Sequence, residues 1–395
     1  MQHNPTAQRP TTTIQAETSQ EKAEPLTPFL KWAGGKKKEL HNILPLIPSF
    51  DTYYEPFIGG GAVLFSLQAP KAFINDKSTE LFQLYKMIAQ QDEDFFHTLD
   101  RLLNGWQDIS RIVDNEAAEL IALYHSYSTG ICSTKEAEHS FLEFIQRHIT
   151  EFTAMFAAFP NKATDNFVCE LQRNLLGKTK RMKALEQKKW RLPANDILAN
   201  LECALKSAFY MHLRHLYNHI QQYDIPPGQA TAIFFFVREN AYASMFRYNS
   251  QGKFNVPYGG ISYNRKDLAQ KIAYMHSMAL QRFLAGTVIE NMDFATFLRK
   301  HAPSANDFIF LDPPYDSKFS TYTQNIFSMQ DQERLAHYLK SQCQAKFMLV
   351  IKNTPAILNL YAQAGLTLRT FDKKYLVSFQ DRNDRNAEHL IITNY

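Results

Sequence analysis

No apolar run in the chain approaches the ~18 residues needed to cross a bilayer, so no membrane span is expected. The first residues lack a charged segment followed by an apolar core, so no secretory leader is expected either. Cysteine is scarce in a chain of 395 residues. Cys132, Cys169, Cys203 and Cys343 are scattered, without a C-x-x-C pair. That usage suits a reducing cytoplasm and argues against a disulfide framework. The phosphate loop G-x-x-x-x-G-K-[ST] is missing, as are the dinucleotide fingerprint G-x-G-x-x-G and the zinc motif H-E-x-x-H. A nicotinamide cofactor is therefore disfavoured, and no metal site is expected. No internal repeat is visible.

What is present is a globular composition. Hydrophobic residues make up 45% of the chain, with 30 Phe, enough for a sizeable core. Net charge is only +4, but it is unevenly spread. Between 173 and 191 eight cations stand against Glu186 alone, a local excess of +7. They include Lys180 and Arg181, and the cluster is the footprint expected of a polyanion-binding surface. Residues 1–27, rich in Thr, Gln, Ala and Pro without apolar periodicity, read as a disordered tail.

Four stretches carry chemistry. Pro28 to Lys38 reads PFLKWAGGKKK: a glycine turn with Trp32 before it and Lys36 after it, an indole face beside a point charge. Residues 53–67 run from an aromatic strand end through Glu55, Pro56 and Phe57 into Gly59-Gly60-Gly61 and then a helical pattern. Bare backbone at such a strand–turn–helix junction approaches a nucleotide-like ligand. Lys71 to Asp76 is the second strand, and Asp76 lies 17 residues past Gly59, placed to accept from ribose hydroxyls or to cap the helix that follows. Finally Phe308 to Leu311 is a short buried strand leading into Asp312-Pro313-Pro314-Tyr315. Two prolines stiffen that turn and remove backbone donors, leaving a carboxylate, carbonyls and a ring in fixed relation. Such a set can grip a planar amino group.

Residues 80–104 read as helix, and 105–230 as a mostly helical insertion with few strand signals. Its clearest element is the stripe Leu198, Leu201, Leu205, Phe209, Leu213, Leu216 and Ile220. His212, His215 and His219 flank it and are expected to be solvated or to contact phosphate. Ile233 to Val237 reads as a strand. After it, Tyr242, Arg247, Asn249, Asn255 and Pro257 fall in an aromatic stretch around an Asn-Ser-Gln-Gly turn, the pattern of an exposed hairpin. Arg pairs bidentately with guanine, and aromatic side chains wedge into base steps. Past the proline turn, Gln330–Leu339 and Pro355–Ala364 read as helices, Phe347–Ile351 as a buried strand, and Tyr375–Phe379 with His389–Thr393 as a terminal strand pair.

Taken together, PFLKWAGGK, EPFIGGGAV, IND, RYNSQGKFNVPYGG, DPPY and AEHLIITN resemble, in that order, the Dam-like, D12-class (α-group) DNA adenine-N6 methyltransferases. The likeness covers roughly 28–90 and 233–395 and leaves the middle insertion uncovered. It implies a Rossmann-like α/β methyltransferase sheet, S-adenosylmethionine as donor, and duplex DNA as partner. A first catalytic segment at 28–90, a target-recognition region at 91–265 with a DNA-contacting hairpin at 238–260, and a second catalytic segment at 266–395 follow from it. Trp32, Lys36, Glu55, Phe57, Gly59, Asp76 and Asp312 would serve the cofactor. Asp312, the Pro313 carbonyl and Tyr315 would hold a flipped adenine. Tyr242, Arg247, Asn249, Asn255 and Pro257 would face DNA, joined by Lys180 and Arg181. The class also admits a cognate restriction endonuclease as partner, in a bacterial, archaeal or phage-encoded cytoplasmic setting. Ala243-Ser244 stand where the family often has Asn-Gly, and Gly260 where a basic residue can occur, so the familiar GATC target does not carry over. Methylation of RNA or of a protein amide, or a non-catalytic DNA-binding module on the same fold, are the alternatives.

Overall fold

Along each central strand, neighbouring side chains go to opposite faces of one sheet, and both faces are apolar. Tyr53, Phe308, Phe310, Met348 and Val350 enter one core; Tyr54, Ile309, Leu311, Phe347 and Leu349 enter the other. Strands buried on both sides belong in the middle of a three-layer α/β structure. The structure is a computed structural model, which describes residues 25–154, 156, 159, 164–314, 327–362, 365–374 and 386–395.

The strands are β1 (Tyr53–Glu55), β2 (Ala72–Asn75), β3 (Thr287–Glu290), β4 (Phe308–Leu311), β5 (Lys346–Lys352), β6 (Thr367–Lys374) and β7 (Asn386–Thr393). They form a seven-stranded sheet in the order β3-β2-β1-β4-β5-β7-β6. The first five are parallel, while β7 runs antiparallel to both β5 and β6. This is a Rossmann-like sheet with an antiparallel edge. Strand order reverses between β1 and β4, and ligands sit outside the carboxyl ends of strands at such a switch. Glu55 and Asp312 stand at those two ends.

Helices Phe294–His301, Met329–Ser341 and Pro355–Tyr361 cover the face of Leu311 and Leu349. The opposite core is larger. It starts at Leu26, takes in helices Ala62–Leu67 and Thr79–Gln90, and continues without a break into the helical insertion. There Glu93–Asn115, Ala117–Thr129, Thr134–Arg147, Thr164–Glu186 and Ala194–Tyr217 are all helices, as the lack of strand signals predicts.

Several expectations need correction. Ile233–Val237 is not a strand but the middle of helix Pro227–Asn240, in which every residue except Pro227 and Ala230 is buried. A helix hydrophobic all round shows no 3.6-residue stripe, so a short apolar run cannot be told from a buried strand. The helix expected over 80–104 is two, broken at Gln91 (φ 51°) and restarted by the Asp92 cap. β3 has no counterpart among the strands expected from sequence. Its Val288 is exposed and Ile289 and Glu290 only partly covered, because it lies at the sheet edge. The partner of the last strand is β6, at 367–374, and Tyr375–Phe379 lies outside the described residues. On this opposite edge Thr367, Arg369, Thr370 and Asp372 are exposed or only partly covered, which dilutes the apolar signal. The packed chain reaches back to Leu26, and Thr27 N donates to Tyr274 Oη at 2.8 Å, which shortens the expected tail. Its residues 1–24 lie outside the described residues. Finally, His212 is fully buried rather than solvated.

Candidate active site and nucleic-acid interface

The glycine turn after β1 is held from three sides. Ile58 N donates to Asn75 O at 3.0 Å, and Gly61 N closes the turn on Ile58 O at 2.8 Å. Gly59 (φ +50°) and Gly61 (φ +71°) occupy left-handed backbone, and a Cβ on Gly61 would sit 2.6 Å from Tyr85 Oη. Only glycine meets both demands. Trp32 closes over the turn: a Cβ on Gly59 would lie 3.1 Å from the indole Cδ1.

Asp76 joins this turn to the next helix. Its Oδ2 accepts from Gly59 N at 3.0 Å and its Oδ1 from Ser78 N at 2.9 Å. The helix cap itself is Ser78, whose hydroxyl accepts from Leu81 N. Burial pushes the Asp76 carboxyl up to about 6, against the lowering effect of those two N–H groups. Asn75, beside Asp76 in the IND motif, locks the floor of the site. Its amide donates to Pro56 O and Met292 O, and its Oδ1 accepts from Met292 N.

At the switch point Lys36, 2% exposed, forms an ion pair with Asp312 and donates to Gly34 O at 3.1 Å. Glu55 is buried beside them and accepts from Tyr53 Oη at 2.7 Å. Burial holds its carboxyl well above the ordinary range; the Asp312 charge adds to this, while Lys36 and the Tyr53 hydrogen bond oppose it. Pro313 is buried, and Pro314 O accepts from Gln332 Nε2 at 3.2 Å. Gln332, a residue without a sequence signal, thus braces the proline turn from helix Met329–Ser341. Tyr315 lies outside the described residues. Phe57 turns away from this cluster and packs with Phe294 and Phe327, each ring at 5.5 Å.

The hairpin forms as expected and leans on the helical insertion. Ala241 bridges Tyr258, and Tyr248 bridges Phe254, both antiparallel. Tyr210 Oη and Arg214 Nη1 donate to Val256 O at 2.9 and 3.1 Å, and Asn218 exchanges two hydrogen bonds with Phe254. Tyr242, Arg247 and Pro257 are exposed on it. Asn255 Oδ1 accepts from Arg247 Nε at 3.2 Å and aims that guanidinium. The Asn249 side chain instead folds back to accept from Gln251 N and Lys253 N. Between hairpin and glycine turn lies Arg238, which motif reading passes over. Its guanidinium is 4.1 Å from the Trp32 ring centroid and 4.4 Å from that of Phe246.

The basic segment divides in two. On helix Thr164–Glu186, Lys180 pairs with Glu138 at 2.9 Å, Arg181 donates to Gly177 O, Arg173 pairs with Glu170, and Lys183 donates to Tyr127 O. The turn after it leaves Lys188, Lys189, Trp190 and Arg191 exposed, Trp190 at 69%. Among the described residues no group of three or more His, Cys, Asp or Glu could hold a metal, and no helix is long and apolar enough to cross a membrane.

A doubly wound sheet with a glycine turn, a spaced acid and an Asp-Pro-Pro turn meeting at its switch point defines a Rossmann-like enzyme built to act on an amino group. Comparison with known proteins narrows this. The family described as D12 class N6 adenine-specific DNA methyltransferase matches over residues 32–203 and again over 182–375. The chain is 24% identical over 375 residues to the type II methyltransferase M.CviBI of Paramecium bursaria Chlorella virus NC1A, covering 94% of this chain and all of that one. It is 24% identical to the DNA N-6-adenine-methyltransferase of Escherichia phage P1, covering 92% of this chain and 35% of that longer protein. It is 23% identical to the type II methyltransferase M.MjaIII of Methanocaldococcus jannaschii, covering 93% and 99%. The chain belongs to the D12 class N6 adenine-specific DNA methyltransferases. It is a site-specific, adenine-specific DNA methyltransferase.

Proposed function

We propose that the methyl donor is S-adenosylmethionine, seated between Trp32, the glycine turn and Asp76, and that the acceptor is an adenine swung out of duplex DNA against the Asp312-Pro313 turn. The observation that carries this reading is the convergence of Lys36, Asp312, Trp32, Gly59 and Asp76 at one strand-order switch. The residues fit such a donor: a turn too tight for a Cβ, an indole closing over it, and a carboxylate at the end of β2 for a pair of hydroxyls. When bound, the donor supplies a methyl group activated by its sulfonium.

The chain's own residues do the positioning. Lys36 holds the Asp312 carboxylate in place. Asp312 and the Pro313 carbonyl accept the N6 hydrogens, which draws that nitrogen towards sp³ geometry and frees its lone pair for in-line attack. Placement and electrostatics suffice, without a strong base. Tyr315 stacks on the base, and extrusion of the base from the helix is what makes N6 reachable. Arg247, aimed by Asn255, enters the groove, with Tyr242 and Pro257 beside it; Asn249 shapes the turn, and Lys180 and Arg181 add phosphate contacts. Glu55 lines the donor side, while Phe57 supports the turn from below through Phe294 and Phe327. Relatives named as type II methyltransferases support a cognate restriction endonuclease as partner and a cytoplasmic setting.

The test is methyl transfer from labelled S-adenosylmethionine to DNA, RNA and protein, followed by sequencing that maps modified bases. Label in duplex DNA as N6-methyladenine at one recurring sequence is expected. Label confined to RNA or protein overturns the reading.

A further inference from the structure

We propose that Arg238 is a positioning residue that couples cofactor binding to the DNA-facing hairpin. This rests on the reading above, in which Trp32 faces the methyl donor and the hairpin faces DNA. Arg238 is 2% exposed, and among the described residues it makes no ion pair. The neighbouring carboxylate, Glu239, is taken by Lys266 and Lys271, each at 2.9 Å. The guanidinium is instead packed against Trp32 and Phe246, whose ring centroids are 6.0 Å apart. Its Nε and Nη2 donate to Lys31 O at 3.3 and 3.0 Å, and its Nη1 has no hydrogen-bond partner among the described residues.

A buried cation with no carboxylate in direct contact, though Glu239 and Glu80 act on it from farther off, and with one donor unmet, is costly to keep. Burial accordingly lowers its affinity for a proton, to a pKa of about 10. Packing alone does not require such a group at this place. Its neighbours do make sense of it. On one side Trp32 presses on Gly59 and Gly60, the backbone that approaches the donor. On the other, Phe246 packs on Tyr248 and Phe254 at 5.2 and 4.9 Å, the paired residues of the hairpin. Phe246 also follows a turn in which Ala243 and Ser244 both hold left-handed backbone, at φ 52° and 53°. That strain gives the hairpin root an alternative to relax into. Trp32 and Phe246 thus share a single planar cation, which stacks on aromatic faces in a way lysine does not. Settling Trp32 over the donor moves the group against which the hairpin is set.

Coupling of this kind is reciprocal, so each ligand raises the affinity for the other by one factor. The experiment measures Kd for S-adenosylhomocysteine with and without a duplex carrying the mapped site, and Kd for the duplex with and without S-adenosylhomocysteine. In the parent protein each ligand is expected to tighten the other by about tenfold. In Arg238→Met, and in Arg238→Lys, which keeps the charge, the factor falls to about one, with both binary affinities within roughly threefold of the parent. Arg238→Lys carries the test if Arg238→Met does not fold. A factor kept in the folded variant, or no coupling in the parent, overturns the proposal. A parent protein that binds neither ligand overturns the functional reading instead.

Discussion

Asp312 is held by one buried cation, and what can be changed at it follows from that. Deleting the carboxylate takes the Asp312 charge away from buried Lys36, a loss of stability as well as chemistry. Asp312→Asn keeps the shape. It is expected to lower kcat by ~10² or more while leaving duplex affinity nearly unchanged, as steady-state methyl transfer and fluorescence anisotropy would show; unchanged turnover removes Asp312 from the mechanism. His212 illustrates the opposite case, a titratable group kept uncharged. It sits against Phe156 and Phe167 with Asn166 Nδ2 at 3.0 Å from Nδ1, and burial pushes its pKa down to about 3. Above pH 6.5 folded and unfolded chains both carry it neutral. Between pH 6.5 and about 3 only the unfolded chain takes the proton, so stability falls as pH falls. The loss is about 2 kcal/mol by pH 5. Asp76, with its carboxyl raised to about 6, gains stability over the same window, so the loss is read as the difference between parent and His212→Gln in the shift of urea midpoint from pH 7.5 to 5.

At the scale of elements, the hairpin root is where backbone conformation and sequence disagree. Met245 N donates to Tyr242 O at 3.0 Å, and both central residues have positive φ. This is a type I′ turn, the one that favours Asn-Gly, and here it is made from Ala243-Ser244. Left-handed backbone costs a non-glycine residue on the order of 1–2 kcal/mol. The double change Ala243→Asn with Ser244→Gly is therefore expected to raise the thermal midpoint; a midpoint that stays or falls means the strain is absent. The buried helix Pro227–Asn240 shows why this turn lies where it does. It carries Arg238 and Asn240 to the hairpin root, and Gly259 N donates to Asn240 O at 3.0 Å. Residues 233–237 within that helix read as strand in the sequence, because burial on every side erases their period.

Over the whole molecule, charge is placed rather than merely abundant. Of the eight cations between 173 and 191, Lys180, Arg181, Arg173 and Lys183 on the helix fold back onto Glu138, Gly177, Glu170 and Tyr127, while Lys188, Lys189 and Arg191 stand exposed around Trp190. The tip of the insertion is the surface most open to a phosphate backbone, with the exposed Lys180 and Arg181 on the shaft behind it. Replacing Lys188, Lys189 and Arg191 by Ala is expected to flatten the salt dependence of duplex binding, by about 0.9 in log K against log salt for each phosphate that they neutralise. An unchanged slope would place the tip away from DNA. Methylation at saturating duplex and low salt should persist, since the turn contributes nothing to the switch-point cluster.

The motifs set by local chemistry are legible before folding. A glycine turn after an aromatic strand, an acid at the end of the next strand, and a proline-stiffened Asp at the end of a third each follow from short-range rules. Their order along the chain resembles the D12 class, and that resemblance implied a Rossmann-like sheet and an adenine-N6 methyltransferase. What only the tertiary structure decided is how segments remote in sequence meet: Asn75 on Met292, Gln332 on Pro314, Lys36 on Asp312, and Arg238 between Trp32 and Phe246. A side chain's partner across the fold leaves no trace in its own neighbourhood of sequence. A residue buried from all directions, such as Phe235, loses even the periodicity that would have betrayed it.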